Sequence, residues 1–273
     1  MTVIDIHPHI ISDDADRYPP APLFGKRSDW SQERPCTVAS LIAAMDEAGV
    51  DKAAVVHSST TYGFDNSYVV DGCNEYPDRL IAVGSVDVAA SDAVPVIRGW
   101  VDKGLKGLRI FTGGSTKDFD PTELENPAAY PAWEVLGDLG IPMCIQTGPI
   151  GLPQVRDLAV RFPKVNIILD HLGRPDVLDG PPYANADSLF AMADLPNIYL
   201  KLTPRIMGDV TKGQASAVRW LAHLVRQMLA RSYAQIEFDE CWLSPSPGCH
   251  GLPAGGDAAA AVGAAFGVYR GAE

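Results

Sequence analysis

The sequence predicts an α/β fold, a (β/α)8 TIM-like barrel, on three observations. Short β-rich segments alternate with helix-length amphipathic stretches along most of the chain, the pattern of a parallel sheet. Eight such segments are present, and 273 residues suits eight units, for which about 250 is typical. The turn after the first segment reads His7-Pro8-His9. A doubly wound dinucleotide-binding sheet would place a glycine fingerprint there.

The β segments are 3–7, 53–58, 81–88, 107–111, 142–146, 165–170, 198–202 and 235–239. Most are short runs rich in Val, Ile and Leu, as strands covered on both faces require. Between them lie helical patterns at 38–48, 68–76, 93–103, 130–139, 152–162, 186–193 and 216–230. Gly49, Gly104 and Gly140 each follow a helical stretch and precede a strand, the place for a left-handed cap. Two segments break the alternation. Residues 12–35, rich in Asp, Pro and Arg, form a long loop behind the histidine pair and are expected to act as a lid. Residues 243–273 are dominated by Pro, Gly and Ala, with one helical pattern near 258–266, so strand eight and the tail depart from barrel regularity. There is no internal repeat and no linker, and a single domain over 1–273 is expected.

Composition narrows the function. At 47% apolar and 21% charged residues the chain is globular, and no apolar run is long enough to span a membrane. The start lacks a basic-then-apolar leader, so a cytoplasmic protein is expected. Five scattered cysteines without C-x-x-C spacing read as reduced thiols, not as a disulfide frame or zinc knuckle. A net charge of −12 disfavours nucleic acid and anionic membranes as partners. It leaves a small anionic organic substrate open, since a pocket can be locally cationic. A homo-oligomer is neither required nor excluded.

In a barrel of this class the active site is built at the C-terminal strand ends. Those ends collect His7 and His9; His57; Arg109 with the turn from Thr112; Gln146; Asp170, His171 and Arg174; Lys201, Thr203 and Arg205; and Asp239 with Cys241. Two imidazoles two residues apart can bind a metal, hold an oxyanion or pass a proton. Arg109 lies inside an apolar strand and must be paired or functional, because an unpaired buried guanidinium is too costly. His57 is as consistent with a hydrogen-bonded structural role as with substrate contact. Arg174 and Arg205 follow strand ends, where a solvated loop arginine is the plain alternative. His223 and His250 read as surface or packing residues.

The stretches V-I-D-I-H-P-H, G-L-R-I-F and I-I-L-D-H-L-G-R-P resemble the amidohydrolase superfamily, in order and spacing, from residue 1 to about 205. Within it they resemble the branch of 2-pyrone-4,6-dicarboxylate lactonase, sulfomuconolactone hydrolases and L-fuconolactonase-like enzymes. The resemblance implies that His7, His9 and His171 face the substrate, and that a strand-eight aspartate activates water. Two departures matter. Strand five carries Gln146 where metal-dependent members usually have histidine, and a carboxamide is a poor zinc ligand. Strand eight reads Phe238-Asp239-Glu240-Cys241-Trp242, so alignment on Trp242 puts Cys241 at the aspartate position, while Asp239, two residues earlier, shares its face.

The resulting expectation is a hydrolase that opens a small, carboxylated lactone. Asp239 is the base, His7, His9 and His171 are the remaining catalytic residues, and Arg109, Arg174, Arg205 and His57 bind substrate. The cofactor is either none or one divalent metal such as zinc, held by His7, His9 and Asp239. Two alternatives stay open: a metal-dependent decarboxylase or hydratase of the same superfamily, and a catalytically impaired barrel that binds an acid and turns over nothing.

Overall fold

The computed structural model of the chain describes residues 2–114, 116–214 and 216–230. The expected strand at 235–239, the tail 243–273 and its helical pattern at 258–266 lie outside the described residues. The chain divides into two compact units. One runs to Ser85 and includes Gly99–Gly107; the other takes Val86–Arg98 and continues from Leu108.

The first unit contains β1 (Ile4–Asp5), α1 (Asp29–Glu33), α2 (Val38–Ala48), β2 (Lys52–Val56), α3 (Ser59–Tyr62), α4 (Ser67–Glu75) and β3 (Leu80–Gly84). Its strands are parallel in chain order, with Ile4 opposite Lys52 and Val56 opposite Val83. The Thr37 side chain caps α2 by accepting from the Ser40 N–H at 3.1 Å. Val38, Leu41 and Met45 form the buried stripe of that helix, and Gly49 ends it in the left-handed region at φ 70°. The four residues Ala53, Ala54, Val55 and Val56 are all buried, which is why β2 reads as an unbroken apolar run.

The boundary between the units passes through α5 (Ala93–Asp102) and β4 (Leu105–Phe111). The second unit then holds α6 (Tyr130–Leu139), β5 (Met143–Gln146), α7 (Leu152–Arg161), β6 (Ile167–Leu169), α8 (Asp187–Phe190), β7 (Ile198–Leu200), α9 (Pro204–Val210) and α10 (Ala217–Ala230). Strands β4 to β7 are again parallel in chain order, with Arg109 opposite Cys144 and Ile168 opposite both Cys144 and Tyr199. Trp133 of α6, fully buried, stacks on Phe162 with centroids 5.5 Å apart. Asn197, also buried, donates to the carbonyls of Ala159, Phe162 and Val165, tying the end of α7 to the start of β7. Parallel strands in chain order with helices between them make this the expected α/β, (β/α)8 TIM-like fold. Among the described residues no helix is long and apolar enough to cross a membrane.

Several elements differ from expectation, and β3 ends at Gly84 and β7 at Leu200, short of the expected 88 and 202. Strands β1 and β6 are shorter than 3–7 and 165–170, because the chain leaves β1 after Asp5 and turns left-handed after Asp170. Helix α8 has one turn where the pattern predicts a helix over 186–193, the rest being turn. Residues 12–35 are also not structureless, since they include α1 and a 3-10 turn at Leu23–Gly25. They are pinned along their length by Tyr18 Oη to Asp71 at 2.7 Å, Ala21 N–H to Thr61 O at 2.8 Å and Ser28 Oγ to Thr60 Oγ1 at 2.9 Å. At Gly63, φ 60°, an added Cβ would stand 2.6 Å from Ala21 O, so only glycine permits this close approach.

Candidate active site

In the first unit the site begins where β1 stops. Asp5 Oδ1 accepts the His7 N–H at 3.0 Å, a local turn that competes with strand continuation. The two imidazoles that follow meet edge to face, centroids 5.0 Å apart and planes at 85°. His9 Nδ1 lies 2.6 Å from Val56 O. A carbonyl only accepts, so Nδ1 carries a proton, and in the neutral ring Nε2 is left as the acceptor. Trp30 of α1 stacks on the His9 ring at 4.9 Å and 29°. By the same logic His57 Nε2, 2.9 Å from Gly63 O, is the protonated nitrogen. His57 is only 2% exposed, and this bond ties it to the turn after α3.

In the second unit the strand ends build a buried polar layer. Arg109 of β4 is 5% exposed, and Asp170 and Lys201 are both at 0%. Arg109 Nε donates to Asp170 Oδ2 at 2.7 Å, and Lys201 Nζ lies 2.9 Å from Asp170 Oδ1. Arg109 also donates to Gln146 Oε1, while Gln146 Nε2 donates to Gly113 O at 3.0 Å. Arg109 is therefore the paired arginine, held by a carboxylate and a carboxamide. Burial alone would lower the Lys201 pKa; the charge on Asp170 more than offsets this and raises it above the ordinary lysine value. Cys144 Sγ, 3.6 Å from Lys201 Nζ, is pushed up to about 12 by burial and stays a thiol, so it is no nucleophile.

After Asp170 the backbone takes four successive left-handed residues: His171 at φ 55°, Leu172 at 57°, Gly173 at 68° and Arg174 at 51°. This conformation costs about 1–2 kcal/mol for each residue with a Cβ, and such strain clusters at functional sites. It sets His171 Nδ1 2.8 Å from Thr203 Oγ1. Burial, with the nearby Arg109, Arg174 and Lys201 charges and against that of Asp170, lowers the His171 pKa to about 4, so the ring is neutral at pH 7. Arg174 donates to Gly114 O at 3.0 Å and lies over the Phe119 ring at 5.1 Å, so it is no solvated loop arginine.

The structure thus groups His7 with His9 and Trp30 in one unit, and Arg109, Gln146, Asp170, His171 and Arg174 in the other. Arg205 is the second residue of α9, with its side chain outside the described residues, as are Asp239 and Cys241. Among the described residues no group of three or more His, Cys, Asp or Glu could hold a metal ion. His7 and His9 supply two imidazoles, one short of the three protein ligands of a catalytic zinc, and the expected third, Asp239, is not among them. Sequence reasoning missed Trp30 and gave Lys201 no role. The signal for Lys201 was present, because I-Y-L-K-L embeds a cation in an apolar strand just as G-L-R-I-F does.

Comparison with known proteins places this geometry in context. The family model described as amidohydrolase matches residues 4–231. An L-fucono-1,5-lactonase of Burkholderia ambifaria is 25% identical over 203 residues, covering 73% of this chain and 67% of the relative. Among solved structures, a zinc-bound amidohydrolase of Burkholderia multivorans superposes with TM-score 0.64 at 18% identity, over 85% of this chain and 80% of that one. A protein of Acinetobacter baumannii assigned as a 2-pyrone-4,6-dicarboxylic acid hydrolase, crystallised with citric acid, gives TM-score 0.60 at 16% identity, over 88% and 85%. The two solved structures are similar in fold.

Proposed function

The chain belongs to the amidohydrolase family and is a hydrolase, and from that premise we propose that it opens a small lactone bearing a carboxylate. The observation that carries this reading is the fixed tautomer of His9. With Nδ1–H given to Val56 O, Nε2 of the neutral ring is an acceptor, which suits it to orient an attacking water or to ligate a metal that activates one. In that tautomer His9 accepts through Nε2, and we assign the donor to the oxyanion to His7 beside it. Asp239, outside the described residues, is proposed as the base that takes the water proton. A divalent ion, if bound, would supply a Lewis acid and lower the pKa of its water.

In the second unit His171, neutral at pH 7, is proposed to face the substrate, and Arg174 to contribute positive charge near its carboxylate. Arg109 is reassigned. Its hydrogen bonds to Asp170 and Gln146 make it a support of the strand ends, and substrate binding is no longer its assigned role. Of the two relatives that suggest a substrate, one is named for a sugar lactone and the other for a pyrone dicarboxylic acid, and both names specify cyclic esters.

The test is a panel of sugar 1,5-lactones and carboxylated lactones, with proton release followed by pH-stat. It is run on protein as purified, after chelation, and after adding Zn2+ or Mn2+. Hydrolysis is expected for at least one lactone, with a loss of roughly 10²-fold or more in His9→Asn. If the parent protein opens none of them under any metal condition, the reading is wrong and a non-catalytic binding role gains.

A further inference from the structure

The four left-handed residues after β6 form the longest such run among the described residues, and three of them carry side chains that disfavour it. A turn of this kind persists only where its surroundings over-determine it. Its exit is held by the Arg174 N–H on His171 O at 2.9 Å and by Arg174 Nη1 on Gly114 O at 3.0 Å. Its middle is packed: Leu172 is fully buried, and a Cβ on Gly173 would stand 2.5 Å from Leu152 Cδ2.

The entry is Asp170, whose side chain reaches into the buried layer. Lys201, just past β7, sits on one carboxylate oxygen and Arg109 of β4 on the other, at 2.9 and 2.7 Å. A carboxylate gripped on one oxygen can still swing about its side-chain torsions. Held on both, by Arg109 of β4 and by Lys201 just past β7, it restrains its own backbone as well. We infer that Asp170 is a positioning residue: through this two-sided clamp it sets the entry to the left-handed turn and so holds the His171 imidazole against Thr203. Charge balance alone would be satisfied by a carboxylate anywhere in the layer. It does not explain why the carboxylate immediately precedes the strained turn. The value of fixing His171 rests on the reading above, in which His171 faces substrate; the geometry of the clamp does not.

Three variants of the full chain test it: Asp170→Asn, Lys201→Met and the double variant Asp170→Asn/Lys201→Met. The first leaves two cations together and risks misfolding. The double variant removes one charge of each sign, and Lys201→Met keeps the Arg109–Asp170 pair. Two readouts are used: exchange of the Arg174 amide relative to that of Ile168 in β6, and the imidazole 15N shifts of His171, assigned by their loss in His171→Gln. In the double variant Ile168 should stay slow while Arg174 exchanges faster by on the order of tenfold or more, and the two imidazole nitrogens should average. Lys201→Met should show a smaller change in the same direction. If both readouts in Lys201→Met match the parent, the clamp does not hold the turn and the inference falls. It falls equally if a folded double variant leaves them unchanged. Neither readout uses a substrate, so failure to hydrolyse lactones would count against the functional reading alone.

Discussion

The indole of Trp30 lies on the imidazole of His9, ring centroids 4.9 Å apart and planes 29° from parallel. With Val56 O on Nδ1 and the His7 ring edge-on, His9 is restrained from three directions. The residue that does this stacking comes from 12–35, so that segment forms a wall of the histidine pair. Its anchors to Thr60, Thr61 and Asp71 hold the wall in place.

Trp30→Ala should free the His9 ring without unfolding the chain, because Trp30 is only partly buried. Ring stacking is worth about 0.5–1.5 kcal/mol beyond area burial, so kcat/KM should fall by about two- to tenfold. Trp30→Phe should recover most of that loss. Steady-state kinetics of both variants on the best lactone check the expectation; equal activity in Trp30→Ala would make the stacking incidental.

The depressed pKa of His171 bears directly on acid stability. Its folded value is about 4, against 6.5 for the free group. Between those values the unfolded chain binds the extra proton and the folded chain does not, so stability rises with pH across the window. It is fully present above 6.5 and lost as pH falls toward 4, by roughly 3 kcal/mol at most. In urea midpoints compared from pH 4 to 7, the parent should lose stability relative to His171→Gln as pH falls from 6.5 toward 4, the variant's curve being the flatter. Parallel curves would mean that His171 titrates normally.

Arg109→Met should act on stability before it acts on binding. It strips the donor from Asp170 Oδ2 and from Gln146 Oε1, both buried. Breaking a buried ion pair from one side costs about 3–5 kcal/mol, although Lys201 stays beside Asp170 and softens the loss. Chemical denaturation gives the number. A variant as stable as the parent but with a raised KM would return Arg109 to the substrate.

Much of this was legible in the sequence, for identifiable reasons. Helices α2 and α6 fall on the expected residues because each combines an apolar stripe with a terminal glycine, Gly49 or Gly140, in the left-handed region. Arg109 stands out as paired or functional through the cost of burying a charge, and its partner follows β6. The left-handed turn was not legible. Leu172 and Arg174 have no local preference for positive φ, and the tertiary contacts of Asp170 and Leu172 impose it. Trp30 was hidden similarly, since a five-residue helix inside a polar segment leaves too little periodicity to read.

Gln146 gives the sharpest test of why strand five lacks histidine. Its carboxamide uses both ends: Oε1 accepts from Arg109 and Nε2 donates to Gly113 O at 3.0 Å, with the residue 4% exposed. A neutral imidazole also has one donor and one acceptor, but they lie on opposite sides of a rigid ring, and the amide places both at one branch point. Gln146→His should therefore satisfy one partner and orphan the other, at a cost of about 1–3 kcal/mol for the unsatisfied buried group. Zinc affinity should not rise, because the new ring would remain engaged with Arg109 or Gly113. Calorimetric Zn2+ titration and urea midpoints on the same preparation decide it. Tighter zinc binding with unchanged stability would show that residue 146 lies at a metal site, and that the carboxamide is there to keep an ion out.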